Sequence, residues 1–276
     1  MPDKNGWRIH REDPSGDLVL AVDFPVGGRG EAGFNEFAPL LSGSFAVWET
    51  LPLCTSEGEV SGRAEIERWL PEVRGSGRTV VAILSFCAGA AFVEQLAAGI
   101  VQWQEHTPEL ILFDPEVPGP LTLQTQLVRG ISRFAPLFSD EENAAHLQHA
   151  EQALALCNGN IEELLSMAIE DFHRVAEIGF PRAGIDLKYG REMMNAFDWF
   201  TRYLVGGAQL KQDWHWPTAT AITSRTPTSG LNQVDAEFRG DVVARELHVD
   251  VDHVGMLAES SVAELVASLL VRTATV

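Results

Sequence analysis

The sequence has few cysteines and no long apolar run. Its 276 residues include three cysteines, Cys54, Cys87 and Cys157. They form no C-x-x-C pair, so the pattern predicts neither a disulfide framework nor a cysteine zinc site. No apolar stretch reaches the roughly 18 residues of a membrane-spanning helix, and residues 1–16 lack the apolar core of a secretory signal peptide. These absences favour a protein of the reducing cytoplasm.

Basic residues are scarce as well. The chain has 20 Lys and Arg against 39 Asp and Glu, which gives a formal net charge of −19. A surface of this sign repels the phosphates of nucleic acids and of anionic membranes. We therefore expect no nucleic-acid partner and no membrane partner.

Short apolar runs followed by turns and helical patterns fill the first half of the chain. The runs are at 18–24, 44–48, 79–84 and 110–113. Nearly continuous runs of this length, alternating with helices, are typical of buried parallel strands. The sequence therefore predicts an α/β fold with a mostly parallel central sheet.

The pattern changes between residues 121 and 209, where amphipathic helical stretches such as 140–156 and 161–178 replace the strands. Strand patterns return at 218–223 and 244–251, and an amphipathic helix is predicted at 260–271. We therefore expect one domain over 1–276, with a helical lid at 121–209 inserted within it.

The segment 80–92, VVAILSFCAGAAF, joins a predicted strand directly to a helix through Cys87. Such a strand-turn-helix is tight enough to need small residues beside a nucleophile, and Ser85 and Gly89 to Ala91 meet that need. The start of a helix also lowers the pKa of a thiol, which predicts a reactive Cys87. The alternative is that Cys87 is a small buried apolar residue, as many free cysteines are.

Two further polar residues lie where an α/β sheet places functional groups. Asp114 directly follows the strand pattern at 110–113, and His253 lies between the last predicted strand and the last helix. The order nucleophile, acid, histidine is that of an α/β-hydrolase. Asp250 and Asp252 are alternative acids, although residues so near His253 on an extended strand more easily face elsewhere.

On these residues the chain resembles the α/β-hydrolase thioesterases of polyketide and nonribosomal peptide synthesis, both terminal domains and free-standing type II enzymes. The resemblance covers nearly the whole chain. It rests on FPVGG at 24–28, SFCAG at 85–89, LILFDPEVPG at 110–119 and DHVGML at 252–257. The helices of 121–209 correspond to the lid of these enzymes.

The resemblance implies a role for each residue of the site. Cys87 would be the nucleophile, His253 the general base and Asp114 the residue that orients the histidine. The backbone N–H groups of Val26 and Ala88 would form the oxyanion hole. The sequence departs from most members in having Cys87 where they have Ser and Ser85 where they have Gly. The resemblance implies no bound cofactor and no metal. It also implies that the substrate is presented on the phosphopantetheine of a carrier protein.

The cysteine favours acyl transfer or cyclisation over hydrolysis. Attack of a thiolate on a thioester gives a second thioester of similar transfer potential, which keeps the acyl group activated for another acceptor. The sequence thus predicts an acyltransferase acting on a tethered acyl, aminoacyl, polyketide or peptidyl group. A hydrolytic editing thioesterase, a non-catalytic carrier-binding homologue and a small-molecule esterase are the alternatives.

One stretch of the chain departs from the acidic average. Residues 172–211 carry six basic and four acidic side chains. Because carrier proteins are typically acidic, we predict that this stretch forms a docking face, against the alternative of a merely balanced surface. The basic residues are Arg174, Arg182, Lys188, Arg191, Arg202 and Lys211.

Overall fold

The computed structural model describes residues 6–25, 30–55 and 58–273. Within these ranges seven strands form one sheet, in the order β1-β3-β2-β4-β5-β6-β7. All neighbouring strands are parallel except the edge pair of β1 and β3. The strands are β1 (Trp7–Arg11), β2 (Asp17–Val22), β3 (Ala46–Thr50), β4 (Thr79–Phe86), β5 (Glu109–Phe113), β6 (Trp216–Thr223) and β7 (Val243–His248).

Helices cover both faces of the sheet and explain why its central strands are apolar throughout. Side chains alternate along β2, with Leu18 and Leu20 in the core on one face and Val19 in the core on the other. One face is covered by α1 (Phe34–Leu40) and α9 (Ser260–Thr273), the other by α2 (Gly62–Gly75) and α3 (Val93–Ile100). The predicted α/β fold with its mostly parallel sheet is confirmed.

β1 is a strand that the sequence pattern did not predict. It is short and it alternates apolar Trp7 and Ile9 with charged neighbours. Trp7 is fully buried and donates its indole N–H to the carbonyl oxygen of Trp69 at 3.0 Å. The strand lies half-exposed at the edge of the sheet, where polar residues are tolerated, so it lacks the continuous apolar run by which the other strands were predicted.

Four consecutive helices follow β5 and cover the segment 121–209, which the sequence predicts to be a lid. They are α4 (Pro120–Ser132), α5 (Asp140–Leu156), α6 (Ile161–Arg182) and α7 (Leu187–Leu210). They enclose an apolar core separate from the two cores of the sheet. A short helix, α8 (Arg239–Val242), lies between β6 and β7. Among the described residues no helix is long and apolar enough to cross a membrane.

Two histidine–aspartate pairs join the lid helices to one another. His149 Nδ1 lies 2.6 Å from Asp171 Oδ2, which links α5 to α6, and His173 Nε2 lies 2.8 Å from Asp198 Oδ1, which links α6 to α7. Both aspartates are buried. A buried carboxylate needs such partners, so these histidines have a structural explanation within the lid.

Helix α7 packs against the sheet domain through glycines. A Cβ on Gly62 would overlap the carbonyl oxygen of Gly206, and a Cβ on Gly207 would lie 2.9 Å from Pro118 and 3.2 Å from the side chain of Ala91. The backbones of α2 and α7 therefore approach more closely than side chains would allow. The contact of Gly207 with Ala91 also holds α7 against the segment that follows β4.

Substitution of Gly62 tests the contact between α2 and α7. We expect Gly62→Ala to lower the free energy of unfolding by about 1 to 3 kcal/mol, because the added methyl group meets backbone rather than a movable side chain. Gly75→Ala in the same helix is the matched control, since its Cβ would have nothing within 4 Å. Urea denaturation of both variants measures the difference, and equal midpoints would contradict the close contact.

Candidate active site

Cys87 occupies a sharp bend at the carboxyl end of β4. The strand ends at Phe86, and a 3-10 helix at Cys87–Phe92 follows without a loop and leads into α3. Cys87 has a positive φ of 50°, a conformation that costs a non-glycine residue on the order of 1 kcal/mol and that clusters at functional sites. A Cβ at Gly89 would overlap the carbonyl oxygen of Val22, so the turn requires glycine there.

Ser85, the residue two positions before Cys87, lies in the regular part of the strand and not in the turn. It lies in β4 with regular pairing to Val22 on one side and to Leu112 on the other. Its side chain is fully buried, and its hydroxyl has no hydrogen-bond partner among the described residues. The cost of a serine at this position is therefore an unpaired hydroxyl rather than a distorted backbone.

His253 and Asp114 come together at the same edge of the sheet. His253 lies at the start of a 3-10 helix at His253–Ala258, and its Nδ1 is 2.8 Å from Asp114 Oδ2. Asp114 is fully buried, and its other oxygen accepts the backbone N–H of Ser224 at 2.9 Å. When the carboxylate accepts the proton of Nδ1–H, the neutral imidazole has Nε2 as its hydrogen-bond acceptor. Nε2 makes no hydrogen bond within the described residues.

Several contacts fix the orientation of this pair. The ring of His253 stacks on that of Phe86, with centroids 4.6 Å apart and planes at 19°. The backbone N–H of His253 donates to Thr226 Oγ1 at 2.9 Å. Asp114 has a positive φ of 40°, and a Cβ at Gly230 would overlap it. The surrounding backbone thus determines where the imidazole lies.

The alternative acids have a different partner. Arg225 Nε donates to Asp252 Oδ1 at 2.9 Å, and Arg225 Nη1 donates to Asp250 Oδ1 at 3.3 Å. Both carboxylates are exposed. Their ion pairs join the loop after β6 to the loop that carries His253, and the hydrogen bond to the imidazole itself is made by Asp114.

The sulfur of Cys87 is bound by a residue that the sequence analysis did not single out. Cys87 Sγ donates to Glu116 Oε2 at 3.2 Å, and the backbone N–H of Glu116 donates to the carbonyl oxygen of Cys87 at 3.1 Å. Thr122 Oγ1 lies 3.4 Å from the other oxygen of Glu116. Within the described residues no hydrogen bond joins Cys87 to His253. The one sequence feature that could have indicated Glu116 is its position, two residues after Asp114 at the same end of a predicted strand.

The expectation that the helix start lowers the pKa of Cys87 was wrong. Burial raises the pKa of this thiol well above its ordinary value, and the negative charge and hydrogen bond of Glu116 raise it further. The backbone N–H of Ala88 acts in the opposite direction, and Asp23 adds to the increase. A short 3-10 helix cannot offset desolvation and a carboxylate in contact with the sulfur.

Half of the predicted oxyanion hole can be located. Ala88, the residue after the bend, is buried, and its N–H lies close enough to the sulfur of Cys87 to affect its pKa. Val26 lies outside the described residues. Among the residues that are described, no group of three or more His, Cys, Asp or Glu side chains could hold a metal ion.

The predicted docking face is only partly available. Lys211 is 7% exposed and donates to Glu94 Oε2 at 2.7 Å, so its inclusion was wrong. Arg174 and Arg182 are exposed but paired with Asp171 and Glu142. Arg202 is half-buried and donates to the carbonyl oxygen of Gly58. Lys188 and Arg191 are exposed on α7 and have no ion pair within the described ranges.

Solved structures share this fold. The thioesterase domain of Vlm2 with genetically encoded 2,3-diaminopropionic acid, bound with a dodecadepsipeptide, has a TM-score of 0.50 at 16% identity, covering 96% of each chain. The thioesterase domain of NocB from the nocardicin cluster has a TM-score of 0.52 at 12% identity, covering 97% of this chain and 99% of that chain. Its covalent complex with a fluorophosphonate nocardicin G analog has a TM-score of 0.51 at 14% identity, covering 98% and 100%.

These comparisons establish the α/β-hydrolase fold and confirm, at the level of fold, the resemblance to thioesterase domains. No protein-family model and no curated protein matches the sequence. At such low identity the likeness extends to the fold and not to the reaction.

The raised pKa of Cys87 can be tested by alkylation. We expect the rate of iodoacetamide labelling of Cys87 to keep rising above the ordinary thiol pKa of about 8.5, because only the thiolate reacts and burial with Glu116 disfavours it. Rates are measured by peptide mass spectrometry in a Cys54→Ser background, since Cys54 is exposed. A midpoint below that of a free thiol would refute the assignment.

Proposed function

We propose that this protein is a cysteine-dependent acyltransferase of the thioesterase type. Its substrate is an acyl, aminoacyl, polyketide or peptidyl group carried as a thioester on the phosphopantetheine of a carrier protein. The observation that supports it most is the arrangement at one edge of the sheet. Cys87 lies on a strained bend there, and the His253–Asp114 pair lies at the same edge, with Asp114 directly after β5 and His253 in the 3-10 helix that follows β7.

Each group of the site has a task in this reaction. Cys87 attacks the thioester carbonyl, the N–H of Ala88 donates to the developing oxyanion, and the carrier leaves as its thiol. His253, whose Nδ1–H is held by Asp114, offers Nε2 to take a proton from the second acceptor as that acceptor attacks the acyl-enzyme. The acceptor is a thiol, an amine or a hydroxyl for transfer or cyclisation, and water for editing hydrolysis.

A non-catalytic binding protein is the second candidate, and one observation favours it. In the resting site the sulfur donates to Glu116, and no hydrogen bond within the described residues connects it to His253. Catalysis therefore requires the bond between Cys87 and Glu116 to break. A protein that only binds carriers would have no such requirement, so the two candidates differ in whether Cys87 becomes acylated.

Acylation of Cys87 is directly measurable. We expect a mass increase equal to the acyl group on Cys87 after incubation with a loaded carrier protein, and none in Cys87→Ala. His253→Ala should slow deacylation by about 10²- to 10⁴-fold, the usual contribution of a general base. Intact-protein mass spectrometry follows both steps. Carrier binding without any adduct would instead support the non-catalytic candidate, and rapid turnover of soluble esters without a carrier would support a small-molecule esterase.

The first turns of α7 are the part of the basic stretch that supports docking of an acidic carrier. Lys188 and Arg191 are exposed there without ion pairs in the described structure. Tyr189 and Met193 lie beside them and are 63% and 52% exposed. An exposed aromatic ring and thioether flanked by unpaired cations suit a partner with acidic and apolar side chains.

Charge reversal tests the docking face. We expect Lys188→Glu combined with Arg191→Glu to reduce kcat/KM for a carrier-bound substrate about tenfold, through loss of electrostatic attraction, and to leave a small thioester substrate unchanged. Arg245→Glu is the matched control, because Arg245 is exposed on the edge strand β7. Equal losses with both substrates would show that the variant damages the protein rather than docking.

A further inference from the structure

We propose that Glu116 selects acyl groups that carry an ammonium group next to the thioester carbonyl, as an aminoacyl group does. This inference rests on the proposed acyl-enzyme and narrows its substrate class. It starts from the contact between Glu116 Oε2 and Cys87 Sγ at 3.2 Å, which places a carboxylate beside the atom that receives the acyl group.

Acylation removes the donor that Glu116 binds at rest. The sulfur–carbon bond to Cys87 forms, the bond between the carrier sulfur and the carbonyl carbon breaks, and the proton of Cys87 ends on the departing carrier thiol. The acylated sulfur has no hydrogen left to donate. Glu116 is half-buried, so an unreplaced donor leaves its carboxylate short of a hydrogen bond in the acyl-enzyme. An acyl group that brings its own donor restores that bond.

The distances fit an α-ammonium group. Its nitrogen is separated from Sγ by two carbon atoms, so it lies about 3 to 4 Å from the sulfur by standard bond lengths. Glu116 Oε2 is itself 3.2 Å from the sulfur, which puts the two groups within hydrogen-bond reach of each other. The backbone bond from Glu116 N–H to the carbonyl oxygen of Cys87 keeps the backbone of Glu116 beside Cys87.

The charges near the sulfur favour the same class. The fields of Glu116 and Asp23 both reach Cys87 and both raise the pKa of its thiol. A site that disfavours a negative sulfur also disfavours an acyl group bearing a carboxylate and stabilises one bearing a cation. The second oxygen of Glu116 has only the hydroxyl of Thr122, at 3.4 Å, as a side-chain donor in the described structure.

Paired small thioesters test the assignment without a carrier. Alanyl-pantetheine and propionyl-pantetheine differ only in the amino group, and the rate of acyl-Cys87 formation is followed by intact mass. Each rate is divided by the rate of exchange of the same thioester with free N-acetylcysteine, because an ammonium group activates the carbonyl by itself. We expect the wild-type protein to prefer the alanyl group about tenfold after this correction, as a charge-assisted hydrogen bond would give.

Glu116→Gln should abolish the preference, so that the corrected alanyl and propionyl rates become equal. A change in thiol reactivity affects both substrates alike and cancels in the ratio of the two rates. The alkylation profile of this variant should also move to lower pH, a change that a purely structural role would not produce. Glu237→Gln is the matched control, since Glu237 is exposed. Equal corrected rates in the wild type would overturn the assignment even if Glu116→Gln failed to fold. Absence of any adduct with both thioesters would contradict the proposed function itself and the selection by Glu116 with it.

Discussion

The close approach of the bend after β4 to the end of β2 is the contact on which the site depends. The Cα of Gly89 lies so near the carbonyl oxygen of Val22 that no side chain fits between them. This contact holds the 3-10 helix against the sheet and keeps Cys87 at a positive φ. The sulfur therefore lies above the carboxyl edge of the parallel strands, where the loops after β5, β6 and β7 converge.

The loop after β5 connects the two halves of the site. Asp114, at its start, binds His253, and Glu116, two residues later, binds Cys87 through both its side chain and its backbone. Two carboxylates from one short segment thus bind the imidazole of His253 and the thiol of Cys87, and Glu116 raises the pKa of that thiol. The proposed reaction therefore requires the bond between Cys87 and Glu116 to break before the sulfur is acylated.

The sequence predicted the features that depend on local pattern. Continuous apolar runs identified the central strands because these are buried on both faces, and the small residues around Cys87 identified the bend. Asp114 was identified because it directly follows a strand, and His253 because it lies between the last strand and the last helix. The sequence pattern did not predict β1, because an edge strand tolerates charged residues and so lacks a continuous apolar run.

Features that depend on tertiary contacts were not predictable in this way. The raised pKa of Cys87 follows from burial and from Glu116, which is 29 positions away in the chain. Lys211 looked like a surface cation, yet the fold buries it against Glu94. Charge and spacing in a sequence do not specify which side chain a neighbouring element will cover.

The glycine contacts of α7 divide the four helices after β5 into two kinds. Gly206 and Gly207 hold α7 against α2, Pro118 and Ala91, so this helix packs directly on the elements that cover the sheet. Helices α4 to α6 supply most of a separate core, to which α7 contributes Val205. An exchange of α4 to α6 for helices of another protein would therefore have its natural junctions near residues 120 and 186, with α7 left in place as the surface against which the new helices pack.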